Sequence, residues 1–403
     1  MNNQLNAPLV VANCFGAFNS RASGLVTMLE GFAAELNAFN TQVRCYSVAG
    51  RNSGFTELSI TPPNSLMMCP GRKMKGLFWS PKLEQLLKLE IGDIDLFHNH
   101  TLWSLPGHYA SRLAFANKVP IVISPHGTLE PWSMKNSQFR KRVIWNVFQK
   151  KDLERASCIH VSTVHEIKNI RNLGIKTPIA IIPNGISMPS EQNTWSQNKF
   201  RHLHPELKDK KIMLFLGRLH EKKGLKPLIR AWQQLTKLAP NWHLLIVGND
   251  DGYKNQLQSL IREFQLSSSV TLKGPVFGDD KTQVMSAVDA FVLPSFAEGF
   301  SMAVLDAMSF RLPVILSKSC NFSEIESRNA GFTVEATSNS VFEGLRKMVE
   351  IEETERIKMG NRAMQLVKTK YTWNAVSQQM KDLYRWVIDG GDKPQSFDID
   401  LSI

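Results

Sequence analysis

The stretch PSFAEGFSMAVLDAM, residues 294–308, continues the apolar run AFVLP of residues 290–294 and sets Glu298 on a Ser/Pro/Gly loop, with Asp306 eight positions further on. A short apolar run, a loop and then a helical segment read as the strand-to-helix unit of an α/β sheet. In a regular helix, a rise of about 1.5 Å per residue would separate the two carboxylates by roughly 12 Å. That is about the reach from the sugar to the ribose of a nucleotide diphosphate sugar. Gly299 lets backbone amides approach an anion, and the helix dipole favours a phosphate there. The plainer reading is a capped amphipathic helix behind a buried strand, with no ligand.

A second turn of the same kind lies upstream. In GRLHEKKGLKPLIRAW, residues 217–232, the apolar run IMLFL leads into Gly217, Arg218 and Lys223 stand five positions apart in a polar loop, and a helix is predicted from about Gly224. Two cations and free backbone amides at such a turn make a pyrophosphate cradle, because Arg offers bidentate hydrogen bonds and Lys a mobile point charge. The loop lacks the Gly-Lys-Ser/Thr ending of a Walker A motif and is not GxGxxG. An ordinary basic loop is the alternative.

Outward from these turns, short apolar runs alternate with helix-length amphipathic segments, the pattern of parallel-sheet α/β domains. Strands are predicted at LVVANCF, QVRCYSV, IDLFHNH, VPIVIS, SCIHVS and IAIIPNG in the first half, and at KIMLFLG, WHLLIVG, SVTLKG, AFVLP, PVILS and GFTVE in the second. Helices fit between them, for example over 24–36 and 139–156. Two sheets follow, in domains spanning 1–186 and 211–370. Residues 187–210 lack a sustained period and read as a connection; Pro183, Asn184 and Gly185 before it form a turn signal on the hinge side. A helix is predicted over 371–390 and a frayed tail over 391–403.

Bulk composition permits a two-domain globular enzyme. Of 403 residues, 43% are hydrophobic and 21% charged, which excludes collagen-like, disordered and disulfide-scaffold classes. Five scattered cysteines with no CxxC pair point to a reducing compartment, neither a zinc knuckle nor a disulfide framework. The amino-terminal apolar run is too short for a signal peptide, and no stretch reaches the roughly 18 to 20 apolar residues of a membrane span. A soluble, cytoplasmic chain is expected. Of the net charge of +12, residues 1–185 carry +9, from 20 Lys and Arg against 11 Asp and Glu. A basic first half fits an anionic partner surface. No helix-turn-helix, zinc finger, RRM or KH signature supports nucleic acid.

The Gly-Arg and Lys-Lys-Gly turn, followed about 75 residues later by PSFAEGF, closely resembles the nucleotide-sugar half of glycosyltransferase family 4, retaining enzymes of the GT-B fold. Asp306 stands where that family's Glu-x7-Glu signature has its second Glu. In the first half, IDLFHNHTLWSLPG (94–107), ISPHGTLEPWSMK (123–135) and IIPNGIS (181–187) are similar to landmarks in members that build bacterial surface polysaccharides. The likeness runs from about residue 8 to 390. It implies two Rossmann-like domains with parallel sheets facing an interdomain cleft, the donor mainly on the second, the acceptor mainly on the first, and the helix over 371–390 packing back.

Position by position, the resemblance implies that Arg218 and Lys223, after Gly217, bind the donor diphosphate and stabilise the departing charge. Glu298 would hold donor-sugar hydroxyls and Asp306 the ribose. Gly299, Phe300 and Ser301 would serve the distal phosphate through backbone amides, and Val276 and Phe277 would wall the base. His126, in SPHG, would contact the transferred sugar; Gly24 would face the diphosphate, with Ser23-Gly24 in place of the usual double Gly. His100 and Trp103 are weaker acceptor-side candidates. Partners are then a UDP- or GDP-sugar and a glycan or lipid-linked acceptor of lipopolysaccharide, capsule or exopolysaccharide synthesis, with no cofactor and no metal.

Asp93-Ile-Asp95 is a DxD string of the kind that holds metal in GT-A enzymes, but its place at the start of a predicted inner strand explains it without metal. The basic-aromatic stretches RKMKGLFWSPK (72–82) and FRKRVIWNVFQKK (139–151) fit an anionic membrane surface at the inner face of the cytoplasmic membrane. For the second, the alternative is a core-facing helix with a solvated basic side. Competing functions are a nucleotide-sugar epimerase or phosphorylase of the same fold, and a non-catalytic nucleotide-sugar or glycan-binding module.

Overall fold

The computed structural model describes residues 7–17, 24–49, 64–74, 77–135, 137–189, 196–394 and 396. Ser23 beside Gly24, Lys75 in the first basic stretch, residues 190–195 of the connection and the tail beyond 396 lie outside the described residues. The chain divides into two compact units, residues 1–185 with 373–403, and residues 186–372.

Among its described residues the first unit has nine strands: β1 (Leu9–Ala17), β2 (Thr41–Ala49), β3 (Ser65–Pro70), β4 (Arg72–Met74), β5 (Leu77–Trp79), β6 (Leu96–Asn99), β7 (Ile121–Ile123), β8 (Cys158–Val161) and β9 (Ile179–Ile181). Seven form one parallel sheet in the order β3-β2-β1-β6-β7-β8-β9, and β4 with β5 makes an antiparallel hairpin. Successive strand residues point to opposite faces, and the two cores of the unit show it. Val11, Val43, Leu96, Val122 and Cys158 pack on one side, with helices Gly24–Ala38 and Trp373–Asp389. Ala12, Tyr46, Phe97, Ile123 and Ile159 pack on the other, under helices Pro81–Glu90, Leu105–Asn117 and Val164–Asn172. Strand β3 and the hairpin add to the strands read from the sequence. The helix predicted over 139–156 is α-helical over Gln138–Ile144, widens to a π turn over Trp145–Gln149, and closes as α-helix over Lys150–Arg155.

The second unit holds β10 (Lys211–Leu216), β11 (Trp242–Val247), β12 (Val270–Lys273), β13 (Ala290–Leu293), β14 (Val314–Ser317) and β15 (Gly331–Val334), parallel in the order β12-β11-β10-β13-β14-β15. Its strands are nearly continuous apolar runs because helices cover both faces. The strand order reverses between β10 and β13. In an open α/β sheet, ligands bind in the crevice beyond the carboxyl ends at such a switch point. The two segments leaving β10 and β13 there are GRLHEKKG and PSFAEGF. In the first unit the reversal falls between β1 and β6, so His100 at the end of β6 and Asn13 in β1 stand together.

Candidate active site

At the switch point of the second unit the two loops are bonded to each other. Phe296 N–H donates to Lys222 O at 2.8 Å. Gly224, with φ of 68°, ends the first loop so close to the second that a Cβ there would lie 1.9 Å from Pro294 O. Only glycine adopts that backbone without strain and leaves that space. Gly224→Ala is therefore expected to cost about 2–4 kcal/mol, the sum of left-handed strain and displaced backbone, read as a lower denaturant midpoint; an unchanged midpoint would contradict the loop packing.

The contact between the loops carries charge. Lys223 Nζ donates to Glu298 Oε1 at 2.6 Å, and Ser295 Oγ donates to the same oxygen at 2.5 Å. Both side chains are largely buried, 15% exposed for Lys223 and 9% for Glu298. Glu298 Oε2 has no partner among the described residues. The backbone of Glu298 is fixed as well, its N–H donating to Ser319 O at 3.1 Å and its O accepting from Asn321 Nδ2 at 2.9 Å. Arg218, from the same turn as Lys223, has a different carboxylate: it donates to Asp251 at 2.6 Å in an exposed pair. The two cations thus sit in unlike settings, Lys223 enclosed and Arg218 reaching into solvent.

Beyond PSFAEGF, Ser301 precedes helix Met302–Ser309, and the opening amides of a helix lack intrahelical acceptors. Phe300 packs on Phe322 and Tyr371. Asp306, on that helix, accepts from Lys281 Nζ at 2.7 Å. Burial pushes the Asp306 carboxyl up, and Lys281 opposes that shift. Val276 is buried, whereas Phe277, at the start of helix Gly278–Ala287, is 56% exposed. Lys281 and Asp251 went unremarked in the sequence reading, since their partners lie 25 and 33 positions away and no periodicity links them.

In the first unit, four histidines gather around Ser124. The ring of His160 faces a carbonyl, Ile182 O, at 2.8 Å, so Nε2 donates and Nδ1 accepts. Ser124 Oγ then donates to His160 Nδ1 at 2.7 Å, His98 Nε2 donates to Ser124 Oγ at 2.7 Å, and Tyr384 OH donates to His98 Nδ1 at 2.6 Å. Burial lowers all four imidazoles, His98 and His100 well below the ordinary value, His126 to about 3 and His160 to about 4. His126 and Gly127 both have positive φ, 49° and 71°. Gly127 N–H donates to the buried carboxylate of Glu166 at 2.8 Å, and Ser162 N–H donates to its other oxygen at 3.0 Å. His100 is buried, stacked on Phe15 and meeting His126 edge to edge, with His100 Nδ1 3.1 Å from His126 Nε2. Trp103 is also buried, its ring beside Trp145 and under the Lys141 ammonium. Gly24 begins helix Gly24–Ala38. Of the DxD string, Asp95 accepts from Val10 N–H at 2.8 Å and ties β6 to β1.

Known proteins share this plan. Residues 22–188 match the family described as Glycosyltransferase Family 4, and residues 196–366 the family described as Glycosyl transferases group 1. The chain is 28% identical to an uncharacterized glycosyltransferase of Methanocaldococcus jannaschii, over 51% of this chain and 54% of that protein. It is 25% identical to the lipopolysaccharide 1,2-N-acetylglucosaminetransferase of Salmonella typhimurium, over 51% of this chain and 55% of that protein. The chain spans about half the length of these curated relatives. The crystal structure of Anabaena Alr3699/HepE in complex with UDP-glucose has the same fold, with a TM-score of 0.73 at 18% identity over 93% of this chain and 99% of that one. With its two halves matched in order on two parallel-sheet units, the chain belongs to the glycosyltransferases of the GT-B fold, family 4 in its first half and group 1 in its second.

Proposed function

We propose that this chain transfers a sugar, with retention and without metal, from a UDP- or GDP-sugar to a glycan or lipid-linked acceptor of bacterial surface polysaccharide synthesis. The observation that carries the reading is the Lys223–Glu298–Ser295 cluster at the switch point of the second sheet. Lys223 sits beside the carboxylate, placed to neutralise a leaving phosphate, and Glu298 keeps one oxygen for sugar hydroxyls. Arg218 exchanges its exposed partner Asp251 for a diphosphate oxygen at little cost, because exposed ion pairs are worth about 0–1 kcal/mol. Amides of Phe300 and Ser301 take the distal phosphate, Phe277 and Val276 flank the base, and Asp306, oriented by Lys281, meets the ribose. His126 is the first unit's contact to the transferred sugar. Stabilisation of the leaving group by fixed cations and amides is the largest electrostatic contribution. Because no carboxylate in the sequence is obviously placed as a nucleophile, the preferred route is front-face substitution, in which the leaving phosphate helps deprotonate the acceptor.

Thermal denaturation with a panel of UDP- and GDP-sugars tests the donor site. A ligand at 100 times its dissociation constant adds about 2.7 kcal/mol. Stabilisation by one donor class, lost in Arg218→Ala/Lys223→Ala, is expected; no stabilisation by any donor would refute the assignment.

The acceptor is presented at an anionic membrane surface. Phe139, Val143 and Val147 recur every four residues and are 83%, 45% and 70% exposed, whereas Ile144 and Phe148 on the opposite side of the same helical run are buried. Exposed Arg142, Lys150 and Lys151 flank the apolar stripe. Apolar side chains facing water among cations suit an anionic lipid interface. Among the described residues no helix is long and apolar enough to cross a membrane. Phe139→Ser/Val147→Ser is expected to weaken co-sedimentation with phosphatidylglycerol vesicles about tenfold or more, each lost side chain having contributed about 1.5–3 kcal/mol of burial. Equal binding of both proteins would exclude this face.

A further inference from the structure

The contacts around His126 determine which of its ring nitrogens carries the proton. Asn13 Nδ2 donates to Val11 O at 3.4 Å, so the amide oxygen of Asn13 is the atom that faces His100 Nε2 at 2.7 Å. The opposite amide orientation would set two acceptors, Oδ1 and the Val11 carbonyl, against each other. An amide oxygen only accepts, so His100 Nε2 holds its hydrogen. A neutral imidazole has one N–H, which leaves His100 Nδ1 bare. His126 Nε2 lies 3.1 Å from that nitrogen and must donate to it. His126 Nδ1 is then unprotonated, and it has no partner among the described residues. The geometry around the pair is stiff: His100 stacks on Phe15 at 4.6 Å, its ring lies edge to edge with that of His126 and within 16° of its plane, and the Glu166 carboxylate holds the Gly127 amide next door.

We propose that Asn13 and His100 are positioning residues that lock His126 as its Nε2–H tautomer, so that His126 Nδ1 accepts a hydrogen bond from a hydroxyl of the bound sugar. The hydroxyl contact rests on the transferase reading; the lock does not. A hydrogen bond made by one ring nitrogen sets what the other can do. Here an uncharged amide begins the chain, which orients the ring and leaves it neutral.

Histidine-labelled full-length protein tests the lock directly, with the His126 resonances assigned through His126→Gln. The expected nitrogen spectrum at neutral pH shows His126 protonated at Nε2 and bare at Nδ1. His100→Phe keeps a ring against Phe15 but offers no acceptor. It is expected to give a mixture of His126 tautomers and about a tenfold lower turnover number, the equivalent of one hydrogen bond, with the donor Michaelis constant little changed. His100→Asn, which again presents an oxygen, should restore the tautomer and much of the turnover. Wild-type protein with the His126 proton on Nδ1 would overturn the proposal, whether or not the variants fold. So would His100→Phe with an unaltered tautomer and turnover. An Nε2–H tautomer in a protein that transfers no sugar would refute the transferase reading and the hydroxyl contact while leaving the lock in place.

Discussion

Glu298→Gln is expected to lower the turnover number by about 100-fold or more while the protein stays folded. Oε1 of Glu298 is occupied by Lys223 and Ser295, at 2.6 and 2.5 Å, and Oε2, which has no partner among the described residues, is the atom that takes the sugar hydroxyls in the proposed site. Glutamine can keep its amide oxygen toward those two donors, which puts an NH2 group where the sugar hydroxyls need an acceptor. Misplacing a reacting sugar by about 1 Å costs roughly 100-fold. Glu298→Ala is the harsher change, because removing one member of a buried ion pair leaves Lys223 uncompensated and costs about 3–5 kcal/mol of stability. Asp306→Ala serves as the contrast. A ribose hydroxyl bond is similar in ground and transition states, so its loss should raise the donor Michaelis constant more than it lowers turnover. Steady-state kinetics decide it: an Asp306→Ala enzyme with unchanged donor affinity and lost turnover would mean the two carboxylate roles are exchanged.

The other large effect is acid lability. His98, His100 and His160 are buried and held below the ordinary histidine value of 6.5, His160 at about 4. Their folded-state values are depressed, so below pH 6.5 the unfolded chain binds protons that the folded chain refuses. Stability is therefore full above about pH 6.5 and declines as pH falls toward the folded values. At pH 5 a histidine held at about 4, as His160 is, costs about 2 kcal/mol; His126, at about 3, adds a similar amount, and His98 and His100 add in the same direction, against a total stability of about 5–15 kcal/mol for a typical domain. Urea denaturation at pH 7 and pH 5 measures this. His160→Gln, whose amide can still donate to Ile182 O, should remove part of the loss, about 2 kcal/mol at pH 5; a flat profile in the wild type would contradict the neutral histidine network.

Much of this architecture was legible because both sheets are parallel and covered on both faces, so their strands stand out as short apolar runs between helices. PVILS and WHLLIV could be read in this way. The edge strands β9, β12 and β15 were read as well, but β3 and the hairpin were not: SLMMCP at β3 is only partly buried, and Arg72–Met74 with Leu77–Trp79 pairs locally without a core pattern. At the sites, residue types at strand ends were visible, including Lys223, Glu298 and His126. Their partners were not, because the contacts come from tertiary packing: Lys281 meets Asp306 between two helices, Glu166 meets Gly127 from a helix to a turn, and Asp251 meets Arg218 between two loops. The stretch 139–151 shows a further limit. Its cations and aromatics were plain, but the division of Phe139, Val143 and Val147 from Ile144 and Phe148 depends on how that helical run, with its π turn, lies against the sheet.

The central claim, transfer from a nucleotide sugar, is tested most directly by release of nucleoside diphosphate from UDP- and GDP-sugars in the presence of EDTA, with and without cell-envelope glycan and lipid-linked acceptors. The account predicts release from one donor class that rises when acceptor is added, with the sugar recovered in a linkage of the donor's own anomeric configuration. Binding of donor without release under any acceptor, or conversion of the donor sugar to its epimer in place of transfer, would contradict it.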